Sequence, residues 1–321
     1  MKRKILRADA ILVLAALLWG VAFVPQRVAM RHMGPLTFTG VRFALGAMVL
    51  VPVIAVRSRR WTVGEPIAVG PTGDGWGRCL VGGGLAGLVL FVAVNLQQAG
   101  LVYTTAGKAA FITGFYVPLV PVLGLLVGQH TSIATWVGAV LSVVGLYFLS
   151  VVESLEINRG DLLEMIGAVV WAIHVLLIGR FAPRTDPLRL GLVQFVTVAI
   201  VSSIGALPTE GISAVGLRAA IYAILYGGIV SAGIAYTLQL FGQRDAPPGH
   251  AALVLSLEAV FAAVAGIMIL NERFEPREWF GAAVMLGGML ISQVNRFRSG
   301  TGTVCERVGQ ANPPEGSAVL D

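Results

Sequence analysis

The side chains that could do chemistry are few and stand inside long apolar runs: Trp19, Arg42, Lys108, Tyr116, Trp171, His174, Tyr236 and Glu258. Glu258 lies about eight residues into a run near 249–270, roughly 12 Å deep at about 1.5 Å per residue. An ionisable group at such depth is expensive in lipid and is a functional candidate by default. A carboxylate there suits proton exchange, because apolar surroundings disfavour its charged form. The competing role is a structural hydrogen bond to a neighbouring helix. Arg42, about six residues into a run near 36–56, could meet a ligand carboxylate or pair with Glu258. It could equally tie helix ends together or snorkel outward. Lys108 stands one turn inside a run near 105–127, where snorkelling is easier still. His174, one turn beyond Trp171, could titrate or act as a satisfied core histidine. Trp19 and Trp171 could stack on a ligand. Asn95, Gln97, Gln98, Tyr236 and Gln239 suit interhelical hydrogen bonds, and one or two of them could also line a cavity.

Catalytic constellations are missing from the chain. It contains no His-Glu-x-x-His, no Gly-x-Ser-x-Gly and no pair of aspartates deep in one apolar run; Asp161 and Asp186 stand at run ends. Gly82-Gly83-Gly84 is followed by no Gly-Lys-Ser/Thr, so it is no phosphate loop. The two cysteines, Cys79 and Cys305, occupy different settings, one at a run start and one in a polar tail. We expect no catalytic residue, no cofactor, no metal and no disulfide.

The elements that must hold these residues follow from composition. Of 321 residues 56% are apolar and 12% charged, against about 25% charged in soluble domains. A soluble surface needs more polar cover than that, whereas a bilayer does not. About 20 apolar residues cross the hydrocarbon core. Such runs fall near 9–29, 36–56, 79–99, 105–127, 133–152, 161–181, 189–208, 218–240, 249–270 and 278–295. The fold class expected is all-α integral membrane, with ten transmembrane helices. Lys2, Arg3, Lys4 and Arg7 precede the first run as in a signal peptide, but its length and the lack of a small-x-small cleavage site mark a retained helix. The 23 Lys and Arg outnumber the 17 Asp and Glu, and the basic residues cluster between runs. That pattern speaks for topology rather than nucleic acid. Arg57, Arg59, Arg60, Arg78, Arg180, Arg184, Arg189 and Arg244 would all face the cytoplasm if both termini do. Trp136 and Trp279, near run ends, read as interfacial anchors.

The chain repeats itself. Asp9 precedes Trp19 as Asp161 precedes Trp171, and Pro35-Leu36, Val41 and Phe43 align with Pro187-Leu188, Val193 and Phe195. Arg42 falls on Gln194. After the long 57–78 connection, Gln97, Gly100, Gly107, Ala109 and Ala110 match Gln239, Gly242, Gly249, Ala251 and Ala252. Lys108 then matches His250, and Tyr116 matches Glu258. Trp136, Gly138, Ala139 and Gly145 match Trp279, Gly281, Ala282 and Gly288. Collinear matches imply two five-helix halves, 1–152 and 153–296, followed by a polar, disordered cytoplasmic tail, 297–321. Five is odd, so the second half must enter the membrane from the opposite face. Such inverted repeats typify secondary carriers with a site near the midplane. Gly83-x3-Gly87 and Gly124-x3-Gly128 read as close-packing devices between helices.

At this point the chain resembles EamA-type transporters of the drug/metabolite transporter superfamily. The residues that carry the likeness are the Trp of runs one and six, Pro35-x6-Arg42, "YTTAGKAAFITGFYVPLVPVLG" and "AALVLSLEAVFAAVAGIMILNERF" followed by "WFGAAVMLGGMLI". The likeness spans roughly 8–295. One departure is that Gly128-Gln129-His130 stands where the second half has Asn271-Glu272-Arg273, so the first half lacks the acidic loop residue. The resemblance implies a carrier that exports amino acids, metabolites or drugs on a proton or substrate gradient. The expectation is therefore a secondary transporter of the bacterial inner membrane, working as a monomer or homodimer by alternating access, with Glu258 as the proton-coupling candidate. Its partners would be a small-molecule substrate and the bilayer, not nucleic acid. A lipid-linked substrate flippase on the same fold is the alternative. A channel fits worse, because the polar residues are single and asymmetric, and an intramembrane enzyme lacks a catalytic constellation.

Overall fold

A computed structural model describes residues 2–61, 76–127, 133–150, 158–211, 213–246 and 248–299. The described residues are helical throughout, with short turns between. Seven helical stretches are long and apolar enough to cross a bilayer: Leu6–Ala29, Pro35–Val56, Gly77–Leu101, Ala106–Gly124, Arg159–Arg184, Pro187–Thr209 and Ile221–Asp245. Two shorter apolar helices, Trp136–Gly145 and Leu257–Leu270, accompany them. Large apolar side chains point outward, among them Leu126 (83% exposed), Met268 (77%) and Leu207 (67%). Water would penalise such a surface and lipid would not. This is a multi-pass membrane protein.

In chain order the helices are α1 (Lys2–Ala29), α2 (Pro35–Trp61), α3 (Gly77–Leu101), α4 (Ala106–Thr113), α5 (Tyr116–Gly124), α6 (Ile133–Ser150) and α7 (Arg159–Phe181). They continue as α8 (Pro187–Thr209), α9 (Ala214–Ala219), α10 (Ile221–Leu225), a π-helical stretch (Tyr226–Tyr236), α11 (Thr237–Asp245), α12 (Pro248–Leu255), α13 (Leu257–Leu270) and α14 (Pro276–Ser299). The last helix runs into the segment predicted as tail. The remainder of that tail, most of the 57–78 connection and Gly128-Gln129-His130 lie outside the described residues.

The main packing pairs are α6 with α14, α2 with α8, α3 with α7 and α8, and α1 with α13. Small residues make the closest of these possible. A Cβ on Gly145 would stand 2.6 Å from the Gly281 carbonyl oxygen, and one on Gly288 would stand 2.6 Å from that of Gly138. The four glycines aligned in the sequence thus meet crosswise in the α6/α14 seam. Gly83 and Gly87 do the same for α3 against α8, where a Cβ would press on Val193 and Thr197 at 2.7 Å. Backbone approach of this kind replaces the hydrophobic drive that lipid cannot supply between helices.

Three interruptions bring irregular backbone to the middle of the bundle. The run predicted as one helix near 105–127 is two, separated by Gly114 and Phe115. Phe115 N–H donates to Ile112 at 3.0 Å and Val117 N–H to Gly114 at 3.0 Å, a tight 3₁₀ turn. The run near 249–270 breaks the same way at Ser256 (φ −61°, ψ −17°), with Ala259 N–H donating to the Ser256 carbonyl at 3.1 Å. Between α10 and α11 the chain widens into the π-helical stretch. Tyr116 and Glu258 both stand in the first turn after a 3₁₀ break, and Tyr236 closes the π stretch. Mid-helix 3₁₀ and π turns often accompany functional positions.

Candidate central binding cavity

Six of the sequence candidates meet in one buried cavity: Trp19, Arg42, Tyr116, Trp171, Tyr236 and Glu258. Its other polar walls are Gln26, Gln97, Thr113, Ser231 and Gln239. The volume is about 30 Å³, room for one or two waters and no metabolite.

One wall is aromatic. Tyr236 packs edge-on to Trp19 at 4.6 Å between ring centroids and lies stacked with Trp171 at 6.2 Å and 20°. Phe43 and Phe195 support Tyr236 from behind, at 5.6 and 5.9 Å. The Trp19 indole donates to the Ser231 carbonyl at 3.3 Å. That acceptor lies within the π stretch, so α1 is tied to the irregular backbone. Among the described residues the Trp171 Nε1 is buried with no hydrogen-bond acceptor.

The second wall is charged. Arg42 is 2% exposed and therefore does not snorkel. Its Nη1 donates to Gln26 Oε1 at 3.0 Å, while its guanidinium lies over the Phe38 and Phe43 rings at 5.2 and 5.0 Å. Gln98 also donates to Gln26. Arg42 Nε and Nη2 have no hydrogen-bond partner among the described residues. Arg42 and Glu258 line the same cavity but form no ion pair with each other there. Glu258 occupies the first turn of α13, directly after the 3₁₀ step at Ser256.

Lys108 and His174 are not in the cavity. Lys108 Nζ reaches Asp161 Oδ2 at 2.9 Å and Glu278 Oε1 at 4.0 Å, and Asp161 also accepts from Thr104 at 2.8 Å. The lysine is consumed in an ion cluster at the bundle end that carries Arg27 and Glu272. His174 is fully buried behind Trp171, edge-on to it at 5.6 Å, with Nε2 3.2 Å from Gln194 Oε1. Its histidine–glutamine contact joins α7 to α8.

Two carboxylates at the same bundle end organise helix starts. Glu272 follows Asn271, which takes the left-handed conformation (φ 54°) that ends α13. Its oxygens accept the Ala106 and Gly107 N–H groups at 2.8 and 3.0 Å, and Arg27 Nε lies 3.9 Å away. Glu210 does the same for α2, accepting the Leu36 and Thr37 N–H groups at 2.9 and 2.7 Å. Sequence reasoning assigned neither role. Glu164, 1% exposed on α7, is a further buried carboxylate that its place three residues into a predicted run does not mark out.

The family profile described as the EamA-like transporter family matches this chain twice, at residues 6–151 and 158–293. The chain belongs to the EamA-like transporter family. It is 30% identical over 289 residues to an uncharacterized transporter of Archaeoglobus fulgidus, a match covering 90% of this chain and 86% of the relative. It is 24% identical over 297 residues to the uncharacterized inner membrane transporter YedA of Escherichia coli K12, covering 88% and 89% of the two chains. A crystal structure of another protein superposes with TM-score 0.65 over 90% of this chain and 98% of that one, at 19% identity. At that identity the likeness shows the fold alone. As a member of the EamA-like family the chain is a membrane transporter, and the cavity brings Arg42 and Glu258 together with an aromatic wall.

Proposed function

We propose that this transporter is a proton-coupled secondary carrier that exports a small zwitterionic or cationic solute, an amino acid or an amine drug, through the cavity between Arg42 and Glu258. The observation that carries the reading is the cavity itself. A guanidinium with two uncommitted nitrogens, a carboxylate at a half-helix start and a stacked aromatic wall face one space. Arg42 would take a substrate carboxylate through its free fork. Trp19, Trp171 and Tyr236 would take the body or the ammonium face of the solute. Glu258 would bind either the solute cation or a proton, never both, which is the exclusion that couples two fluxes.

The ten-helix, two-repeat architecture belongs to this proposal, with halves 1–152 and 153–296. Tyr116 and Glu258 after corresponding 3₁₀ breaks support it, as do the crossed glycines of α6 and α14. With both termini cytoplasmic, the Glu272 end faces outward. The capping carboxylates and the Lys108–Asp161 cluster hold that end together. Alternating access then requires breaking those contacts on one side to admit a solute.

The test is transport by purified protein in liposomes under an imposed pH gradient, with amino acids and cationic drugs as the panel. Wild type should move at least one solute with the gradient. Glu258→Gln should remain folded by size exclusion and thermal stability but lose gradient dependence. A folded variant that transports like wild type overturns the role of Glu258, and wild type moving none of the panel overturns the solute class.

A further inference from the structure

Glu164 is a buried carboxylate that the proposed transport cycle does not use. It sits in the second turn of α7, one turn after Asp161, so both point to one face of the helix. Its Oε2 accepts from the Thr113 hydroxyl at 2.9 Å, and Thr113 in turn accepts from Gln97 Nε2 at 3.2 Å. Glu164 Oε1 is buried with no hydrogen-bond partner among the described residues. Gly100 leaves it room, since a Cβ there would lie 2.8 Å from that oxygen. A carboxylate oxygen left without a partner in a dry interior is costly.

Its position is equally specific. Thr113 and Gln97 line the central cavity beside Glu258, whereas Glu164 itself does not. On the other side, Asp161 belongs to the ion cluster with Lys108 and Thr104 at the Glu272 end. The charged and titratable groups that bear on Glu164 are Asp161 on its own helix, with Lys108 of α4 held on Asp161, and Glu258 of α13. The facing part of α3 offers only the uncharged Gln97 and Gly100. Glu164 therefore stands between the cavity and the outer ion cluster, joined to the cavity by one hydroxyl.

We propose that Glu164 is a second proton-exchange site, filled and emptied through the Thr113 hydroxyl, and that it stores the proton exchanged with Glu258 across the cavity. The step is a simple relay. Thr113 Oγ1 gives its proton to Glu164 Oε2 and takes one on its remaining lone pair from protonated Glu258 through cavity water, so O–H bonds break and form in equal number, one proton is transferred net and no heavy-atom bond changes. In the reverse direction Glu164 returns the proton by the same hydroxyl. Gln97 keeps Thr113 oriented by donating to its other lone pair. The proposal deepens the proton-coupled reading and rests on it for its purpose, but its test needs no transported solute.

The test is infrared spectroscopy on the full chain in lipid, following the carboxylic C=O stretch during exchange from H₂O to D₂O at several pH values. Wild type should show a protonated carboxyl band that shifts on deuteration and that Glu164→Gln removes, with the comparison repeated in a Glu258→Gln background. Thr113→Val should slow the deuteration of that band at least tenfold, and Thr113→Ser should restore the wild-type rate. A band that Glu164→Gln leaves intact at every pH overturns the proposal, as does a Thr113→Val variant exchanging as fast as wild type. The Thr113 pair keeps the test decisive even if Glu164→Gln does not fold. Transport that ignores the pH gradient would overturn coupling at Glu258 while leaving the relay to be judged by these spectra.

Discussion

The carboxylate of Glu272 accepts the backbone N–H of Ala106 at 2.8 Å, so a residue at the end of α13 caps a helix that begins 166 positions earlier. The same carboxylate takes the Gly107 N–H and approaches Arg27. One side chain thereby fastens α1, α4 and α13 at a single bundle end. Glu210 repeats the device on α2, from the end of α8.

Removing either cap should loosen that end. Glu272→Ala and Glu210→Ala should each lower stability by about 1–2 kcal/mol, the usual scale for losing a helix cap together with charge-assisted bonds. Thermal unfolding in one detergent checks this. Glu272→Ala should also speed thiol labelling of a cysteine placed at Thr113 or Gln97, because the cavity would open more often on that side. Unchanged melting and labelling in both variants would show that the caps contribute nothing.

The α6/α14 seam offers a contrast between adjacent glycines. A Cβ on Gly288 would press on the Gly138 backbone, while one on Gly287 meets nothing within 4 Å. Gly288→Ala should destabilise by about 1–3 kcal/mol through overpacking. Gly287→Ala should be neutral or stabilising by up to about 1 kcal/mol, the helix-propensity gain over glycine. Parallel melting curves distinguish the two, and equal behaviour would argue against the seam.

Lys108 should matter for stability and not for solute choice. Lys108→Met strands Asp161, which is fully buried, with only the Thr104 bond left. A loss of about 3 kcal/mol or more is expected, since an unpaired buried charge is costly. The ranking of solutes transported by whatever folded protein remains should match wild type. A changed ranking would place Lys108 in recognition.

Tryptophan fluorescence separates the cavity from the surface. Trp19 and Trp171 are each 8% exposed and line the cavity, whereas Trp136 and Trp279 are half exposed on the outside. A bound solute should change the emission of a Trp136→Phe/Trp279→Phe variant as it changes wild type. Trp171→Phe should lose most of the response. The opposite pattern would move the binding site to the surface.

His174→Asn should alter stability and leave the pH profile of transport in place, because His174 lies outside the cavity and its side-chain hydrogen-bond contact is with Gln194. A shifted profile would bring His174 back into the coupling pathway.

Hydropathy, spacing and intramembrane charge made the all-helical membrane class, the cavity residues Arg42 and Glu258, and the close-packing Gly83 and Gly87 legible from the chain alone. Each of these follows from one-dimensional rules: apolar length against bilayer thickness, and the cost of a charge in lipid. The helix breaks were not legible. Ser256 adopts an ordinary φ and ψ, and no proline marks the turn, so nothing local distinguishes a 3₁₀ step from continuing helix. The fates of Lys108 and Arg42 were equally hidden. Both are cations inside apolar runs, and only packing places Asp161 beside one and Gln26, Phe38 and Phe43 around the other. Glu272 and Glu164 complete the division. Their types and depths could be read from the sequence, but a cap on α4 and a hydroxyl bridge to the cavity join helices far apart in the chain. Tertiary packing alone decides which partner a buried polar group reaches, because in a dry interior it must take whatever donor or acceptor a neighbouring helix presents.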